Sequence, residues 1–300
     1  MRLLNIVIAN VNFLVHCNDA PLLAEPLTAP YAPFIADATI RDAGSFAIDV
    51  ILETETFPPA GELTEVFEGK GSWSMYKKGE EYYLALNPSL ADGPECIARF
   101  GPFFERVIIY CGKMDIVEGE GGKRVRNPFT YPLDQLLLMY ALAWREGALF
   151  HAAGVEMYGK GYLFPGRSGA GKSTLATRFI EAIKGEVLSD DRVAVRKIGN
   201  AFSMFGTPWP GEAGAALNKG APLCGLFFVS HGSDNRIRDL DRREALERLL
   251  PVTSIPWYDR TVMAKSLDFC DDLCSHIPSY ELSFRPDSEV VHFIEEFASK

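Results

Sequence analysis

The chain is poor in the residues that build covalent or metallic cross-links. Six cysteines and five histidines are spread through 300 residues. The cysteines, at positions 17, 96, 111, 224, 270 and 274, are too scattered for a disulfide framework, so a reducing, cytoplasmic setting is expected. Positive charge is short as well: 30 Lys and Arg stand against 40 Asp and Glu, a net charge of −10. Such a surface lacks the field used by non-specific nucleic-acid or anionic-membrane binders, so neither partner is expected, and any phosphate must be caught locally. Long apolar runs are missing too. The longest without charge, residues 136–144, has nine residues, where a membrane helix needs about 20. Residues 1–12 are interrupted by three asparagines and read as a strand, not as the core of a signal peptide.

With 47% hydrophobic residues the chain can build a substantial core, and at roughly 150 residues per domain its length suggests two domains. Residues 1–128 alternate in short runs between Pro and Gly clusters, which predicts a β-rich N-terminal domain that docks a substrate or partner. Strands are expected at 46–52 and 106–111, with a hairpin of 72–78 and 81–87 closing around Lys78-Gly79-Glu80. The Pro-rich stretches 21–33 and 58–59 read as surface connections. Gly119-Glu120-Gly121-Gly122, followed by Lys123, Arg124 and Arg126, reads as a hairpin tip or linker, and the domain boundary is set beside it.

Residues 129–300 alternate as an α/β domain does. A buried helix is expected over 133–145 with Gly147 as its stop. Antiparallel strands follow at 148–158 and 162–164, joined by the turn Gly159-Lys160-Gly161. Then come a helix at 173–183, strands at 186–189 and 225–229, helices at 241–250 and 259–274, a strand at 280–284 and a closing helix at 288–297.

Gly166-Arg167-Ser168-Gly169-Ala170-Gly171-Lys172-Ser173 matches G-x-x-x-x-G-K-[ST] between a predicted strand and a predicted helix. Glycines let successive N–H groups turn inward onto phosphate oxygens, and the helix N-terminus adds partial positive charge. Lys172 would neutralise the β- and γ-phosphates and the Ser173 hydroxyl would hold Mg²⁺, with Thr174 completing the nucleotide contacts. Asp190 and Asp191 follow a short β run, where one carboxylate can hold metal or water while the other accepts a proton. A merely solvated Asp-Asp turn is the plain alternative. His151 lies on the strand hairpinned to the loop's own strand, which can bring it near the loop; otherwise it is a hydrogen-bonded core histidine. Cys270 and Cys274, four apart on one helix face, are assigned to packing rather than to metal.

Phe150-His151-Ala152-Ala153-Gly154, the Gly159-Lys160-Gly161 turn, the glycine loop and Ser189-Asp190-Asp191-Arg192-Val193, in this order, resemble the catalytic domain of the bacterial HPr kinase/phosphorylase family. The resemblance is strongest over residues 145–200. It implies a P-loop nucleotide-binding domain with a mixed sheet, of the HPr kinase and phosphoenolpyruvate-carboxykinase type. It also implies Asp191 as proton acceptor with Asp190 beside it, His151 in support, and Mg²⁺ held by Ser173, Asp190 and a downstream acid, here Glu212. Where that family carries a basic, glycine-containing loop tied to dephosphorylation, residues 250–260 offer only Arg260; Arg236 or Arg238 is the competing source of charge. The expectation is therefore an ATP- and Mg²⁺-dependent kinase that works forward only, onto a hydroxyl of a protein, peptide or small molecule, with self-association left open. The alternative is a nucleotide-binding regulatory or assembly ATPase. Carboxykinase activity is a third and weaker reading, because the chain is short for the full substrate site of those enzymes.

Overall fold

Short alternating runs make strands, and the early chain consists largely of them. β1 (Leu4–Ile8), β2 (Val11–Cys17), β3 (Ile35–Ala36), β4 (Phe46–Glu53), β5 (Thr64–Glu68), β6 (Trp73–Lys78), β7 (Glu81–Leu86), β8 (Cys96–Phe100) and β9 (Arg106–Cys111) form one sheet in the order β3-β1-β2-β4-β9-β8-β7-β6-β5. It is mixed: β2–β4 and β4–β9 run parallel. The β6–β7 hairpin pairs Lys78 with Glu81 around Gly79, whose φ of +62° explains the glycine. A two-stranded ribbon, β10 (Ile116–Gly119) with β11 (Gly122–Val125), follows. The computed structural model describes residues 3–299 except 24–27, 38, 40, 41, 43, 55, 56, 59, 89–92, 120 and 121. The centre of the 119–122 tip, Pro59 and part of the 21–33 stretch thus lie outside the described residues.

The chain divides into two compact units, residues 1–28 with 35–141 and residues 29–34 with 142–300. Helix α1 (Leu133–Ala143) falls mainly in the first, because Tyr140 packs among the rings of Tyr82, Phe100 and Phe104 at centroid distances of 5.6, 5.2 and 6.4 Å. The division between the units therefore falls near the end of this helix, between Ala141 and Leu142. Gly147 is not the helix stop. Glu146 takes the left-handed turn, φ +51°, and Gly147 opens the next strand, where a Cβ would stand 2.9 Å from the Val195 carbonyl oxygen.

The second unit is α/β with mixed sheets. Its elements are β12 (Gly147–Met157), β13 (Lys160–Pro165), α2 (Lys172–Ala182), β14 (Glu186–Ser189), β15 (Arg192–Ile198), β16 (Ala201–Phe205), β17 (Gly220–His231), β18 (Arg236–Asp239), α3 (Arg242–Leu249), α4 (Arg260–His276), β19 (Ser279–Phe284) and α5 (Glu289–Ala298). The β12–β13 hairpin is antiparallel as expected. It turns at Tyr158-Gly159, with φ of +53° and +77°, one residue earlier than the Gly159-Lys160-Gly161 reading. β13 then runs parallel to β17, and β17 parallel to β19. Strand alternation splits the core in two. Phe150, Ala152, Leu226 and Phe228 pack with α3 and α4 through Leu249, Phe269 and Leu273. Ala153, Val155, Phe227 and Val229 pack with α2 and α5 through Leu175, Phe179, Val290 and Ile294. Among the described residues no helix is long and apolar enough to cross a membrane.

Candidate functional site

β12 organises everything near the glycine loop. Its first half pairs with β15, His151 opposite Arg192, and its second half with β14, Gly154 opposite Ser189. β14 and β15 therefore follow one another along β12, and Asp190 and Asp191 occupy the break between them. On the other side β12 pairs with β13, Ala152 opposite Pro165, immediately before the loop. Two main-chain bonds lock the junction: the Ala152 N–H donates to the Asp191 carbonyl at 3.1 Å, and the Gly166 N–H donates to the His151 carbonyl at 3.3 Å.

The loop turns through Gly169 and Gly171, with φ of +79° and +101°, conformations that side chains with a Cβ rarely adopt. A Cβ on Gly171 would also meet the Phe284 ring at 2.9 Å. As N-cap of α2, Gly171 offers no side chain to the first-turn amides, which leaves that helix end open to an outside acceptor. Lys172, only 5% exposed, donates to the Arg167 carbonyl at 3.0 Å. Burial pushes its pKa down; the Asp191 charge works against that and the Arg192 charge adds to it. An ammonium has three donors, and among the described residues this one has a single hydrogen-bond acceptor. Ser173 is half-buried in the first turn, its carbonyl accepting from the Thr177 hydroxyl at 2.9 Å.

Asp191 joins the predicted groups. Its Oδ1 lies 3.1 Å from His151 Nε2 and its Oδ2 3.1 Å from an Arg192 guanidinium nitrogen. Burial acts to raise its pKa, but the His151 hydrogen bond and the charges of Arg192, His151 and Lys172 outweigh it and hold the carboxyl below the usual range. Asp190 has a different task. Only 1% exposed, its carboxylate accepts from the backbone N–H groups of Gly211, Ala213 and Ala215 at 2.9, 2.7 and 3.1 Å, and so it anchors the segment that carries Glu212. Glu212 is exposed on that anchored segment. A Cβ on Gly211 would stand 2.7 Å from Asp190 Oδ2 and 3.2 Å from Asp191 Cβ, so glycine is required for the approach.

The described residues include no group of three or more His, Cys, Asp or Glu arranged to hold a metal. Cys270 and Cys274 are buried, and burial pushes each thiol up to about 12, as packing residues should behave. Arg238 is bound by Glu244 at 3.0 Å and Glu281 at 2.9 Å. Sequence reasoning missed three contributors: Arg192, Gly211 and His231, whose Nε2 lies 2.8 Å from the Gly169 carbonyl oxygen. A signal for His231 existed, since it ends the apolar run of a strand parallel to β13.

No protein-family model matches the chain, and no curated protein does. Solved structures do match it. One of them, the structure of the Hpr(Ser) kinase/phosphatase from Coxiella burnetii, has a TM-score of 0.29 and 14% sequence identity over 50% of this chain and 88% of that one. At that score the likeness carries no functional weight, which rests instead on the arrangement of this chain's own side chains.

Proposed function

We propose that the chain is an ATP- and Mg²⁺-dependent kinase that transfers the γ-phosphoryl group to a hydroxyl acceptor, and that its second unit is a P-loop nucleotide-binding domain of the kind the sequence resembles. One observation carries the reading: the almost fully buried Lys172 ammonium, with a single hydrogen-bond acceptor among the described residues, lies at an uncapped helix end within the field of an ionised, oriented Asp191. A buried cation lacking partners is costly unless an anion completes it. A polyphosphate would do so, with the loop amides of Gly166–Ser173 as further donors.

Bound ATP·Mg²⁺ supplies the transferable phosphoryl group. Ser173 would hold the metal, with Glu212 as the acidic contact, since Asp190 is engaged by three amides. Asp191, oriented by His151 and Arg192, takes the acceptor hydroxyl proton as the new oxygen–phosphorus bond forms and the bond to the β-phosphate breaks, releasing ADP. Incubating the purified protein with γ-labelled ATP, Mg²⁺ and a lysate of its host tests this. The expected result is label in a discrete acceptor, lost in Asp191→Asn. Label appearing only as free phosphate would favour the regulatory-ATPase alternative.

A further inference from the structure

On the side of the glycine loop away from Asp191, His231 ends β17 with its Nε2 2.8 Å from the Gly169 carbonyl oxygen. A carbonyl only accepts, so Nε2 carries the proton. The chain then passes through Gly232, Ser233 and Asp234, which line a cavity of about 330 Å³ together with Arg236, Arg238, Glu281 and Ser283. The cavity thus begins one residue from a side chain that touches the loop. Gly232 is needed there, since a Cβ would overlap the Ser283 hydroxyl.

The strand order explains why this place matters. Across the sheet the sequence is β12, β13, β17, β19, β18. Asp191 belongs to the β12 side of the loop and the cavity to the β17–β19 side. β13, β17 and β19 are parallel, so their C-terminal ends share one edge, the edge at which α/β sheets bind ligands. At about 4.8 Å per strand, β12 to β19 spans about 14 Å, comparable to an extended nucleoside triphosphate.

We propose that this cavity is the nucleoside subsite, taking the ribose and base of a ribonucleoside triphosphate whose phosphates lie in the glycine loop and whose γ-phosphate faces Asp191. The proposal rests on the nucleotide reading above and adds to it the place and chemistry of the nucleoside. Asp234 accepts from the Ser233 hydroxyl through Oδ1 at 2.7 Å, leaving Oδ2 as an acceptor for the ribose hydroxyls. Arg238 is held by Glu244 and Glu281 and forms a wall. Arg236 has no ion-pair partner among the described residues, and its planar guanidinium is available to stack on the base or bond its edge.

Equilibrium binding to the full chain tests the assignment with three ligands, each with Mg²⁺: ATP, 2′,3′-dideoxy-ATP and inorganic tripolyphosphate. The parent should prefer ATP over the dideoxy analogue. Asp234→Ala should lose that preference, and Asp234→Ala and Arg236→Ala should each weaken ATP binding about tenfold, the scale of one good hydrogen bond to a charged group, with tripolyphosphate binding unmoved. Both residues are exposed, so thermal melts should match the parent. If the variants bind ATP as tightly as a parent that also binds tripolyphosphate, the subsite is overturned and the phosphate loop stands. If the parent binds neither ATP nor tripolyphosphate, the nucleotide reading and the subsite fall together.

Discussion

His151 Nε2 stands 3.1 Å from Asp191 Oδ1, and the next residue along β12, Ala152, donates its backbone N–H to the Asp191 carbonyl at 3.1 Å. Side chain and main chain of the aspartate are thus referenced to one strand, and the same strand holds the Gly166 amide. The distance between the Asp191 carboxylate and the glycine loop is set by β-sheet geometry instead of by a loop.

Lys172→Ala should abolish ATP·Mg²⁺ binding while leaving thermal stability equal to or above that of the parent. The residue brings a buried, partly paired charge, and removing such a charge relieves desolvation. Calorimetric titration checks it; equal ATP affinity in mutant and parent would remove the loop assignment.

Asp191→Asn should leave nucleotide binding in place and lower phosphoryl transfer by about 10² to 10⁴, the usual contribution of a general base. The pH behaviour follows from the direction of its shift. With the folded pKa depressed, the carboxylate is present above its ordinary value and is lost only as pH falls through the lower, folded one. Carbon-13 titration of the Asp191 carboxyl should show a midpoint below the ordinary aspartate value, moving upward in His151→Ala. A midpoint unmoved by that change would disconnect the pair.

Asp190→Ala should destabilise the fold by about 3 kcal/mol, because three backbone N–H groups lose a charged acceptor and recover only part of it from water. Gly211→Ala should act on the same segment by pushing a methyl group into the Asp190 carboxylate. Urea midpoints below that of the parent, at unchanged slope, are the expected readout.

Asp115 provides a pH test in the first unit. Burial, then the charge of Glu95, raises its carboxyl from 3.8 to about 6. A raised acid is favoured protonated in the fold, so its contribution is most favourable below the unfolded value and declines as pH rises through the window up to about 6. Asp115→Asn should melt above the parent at pH about 7.5 and show no advantage near pH 4. An advantage of equal size at both would assign the effect to something other than ionisation.

Reversal by inorganic phosphate needs extra cationic charge to hold two multiply charged phosphates together. Arg238, one sequence candidate, is spent on Glu244 and Glu281, and Arg236, the other, lines the cavity with Ser233 and Asp234 on the β17–β19 side of the loop, which the nucleoside is proposed to fill. Phosphorylated acceptor given millimolar phosphate and Mg²⁺ without ADP should therefore yield no pyrophosphate; formation at a rate near the forward one would contradict this.

Much of the site's neighbourhood was legible because its signals are local. The glycine loop, the β12–β13 hairpin and β14 at Glu186–Ser189 lie where period and turn residues place them. β15 and β16 escaped notice although Gly199-Asn200 between Ile198 and Ala201 is a hairpin signal; Arg192, Arg196 and Lys197 mask the alternation of β15 with charge. The amide anchor at Asp190 could not be read from the sequence, because its partners lie 21 to 25 residues away. Nor could the helix stop be read at Glu146, since a left-handed glutamate gives no compositional cue while Gly147 beside it does.

The three amides gathered by Asp190 also bear on the timing of order in this molecule. A segment tied at Gly211, Ala213 and Ala215 has surrendered its conformational entropy during folding, before any ligand arrives. Glu212 is thereby presented from a rigid arch, and a ligand reaching it has no disordered loop to freeze. Cutting the arch at Asp190 would move that entropic cost into the binding step, so the weakened affinity should appear as a more negative binding entropy even where the surviving contacts are the same.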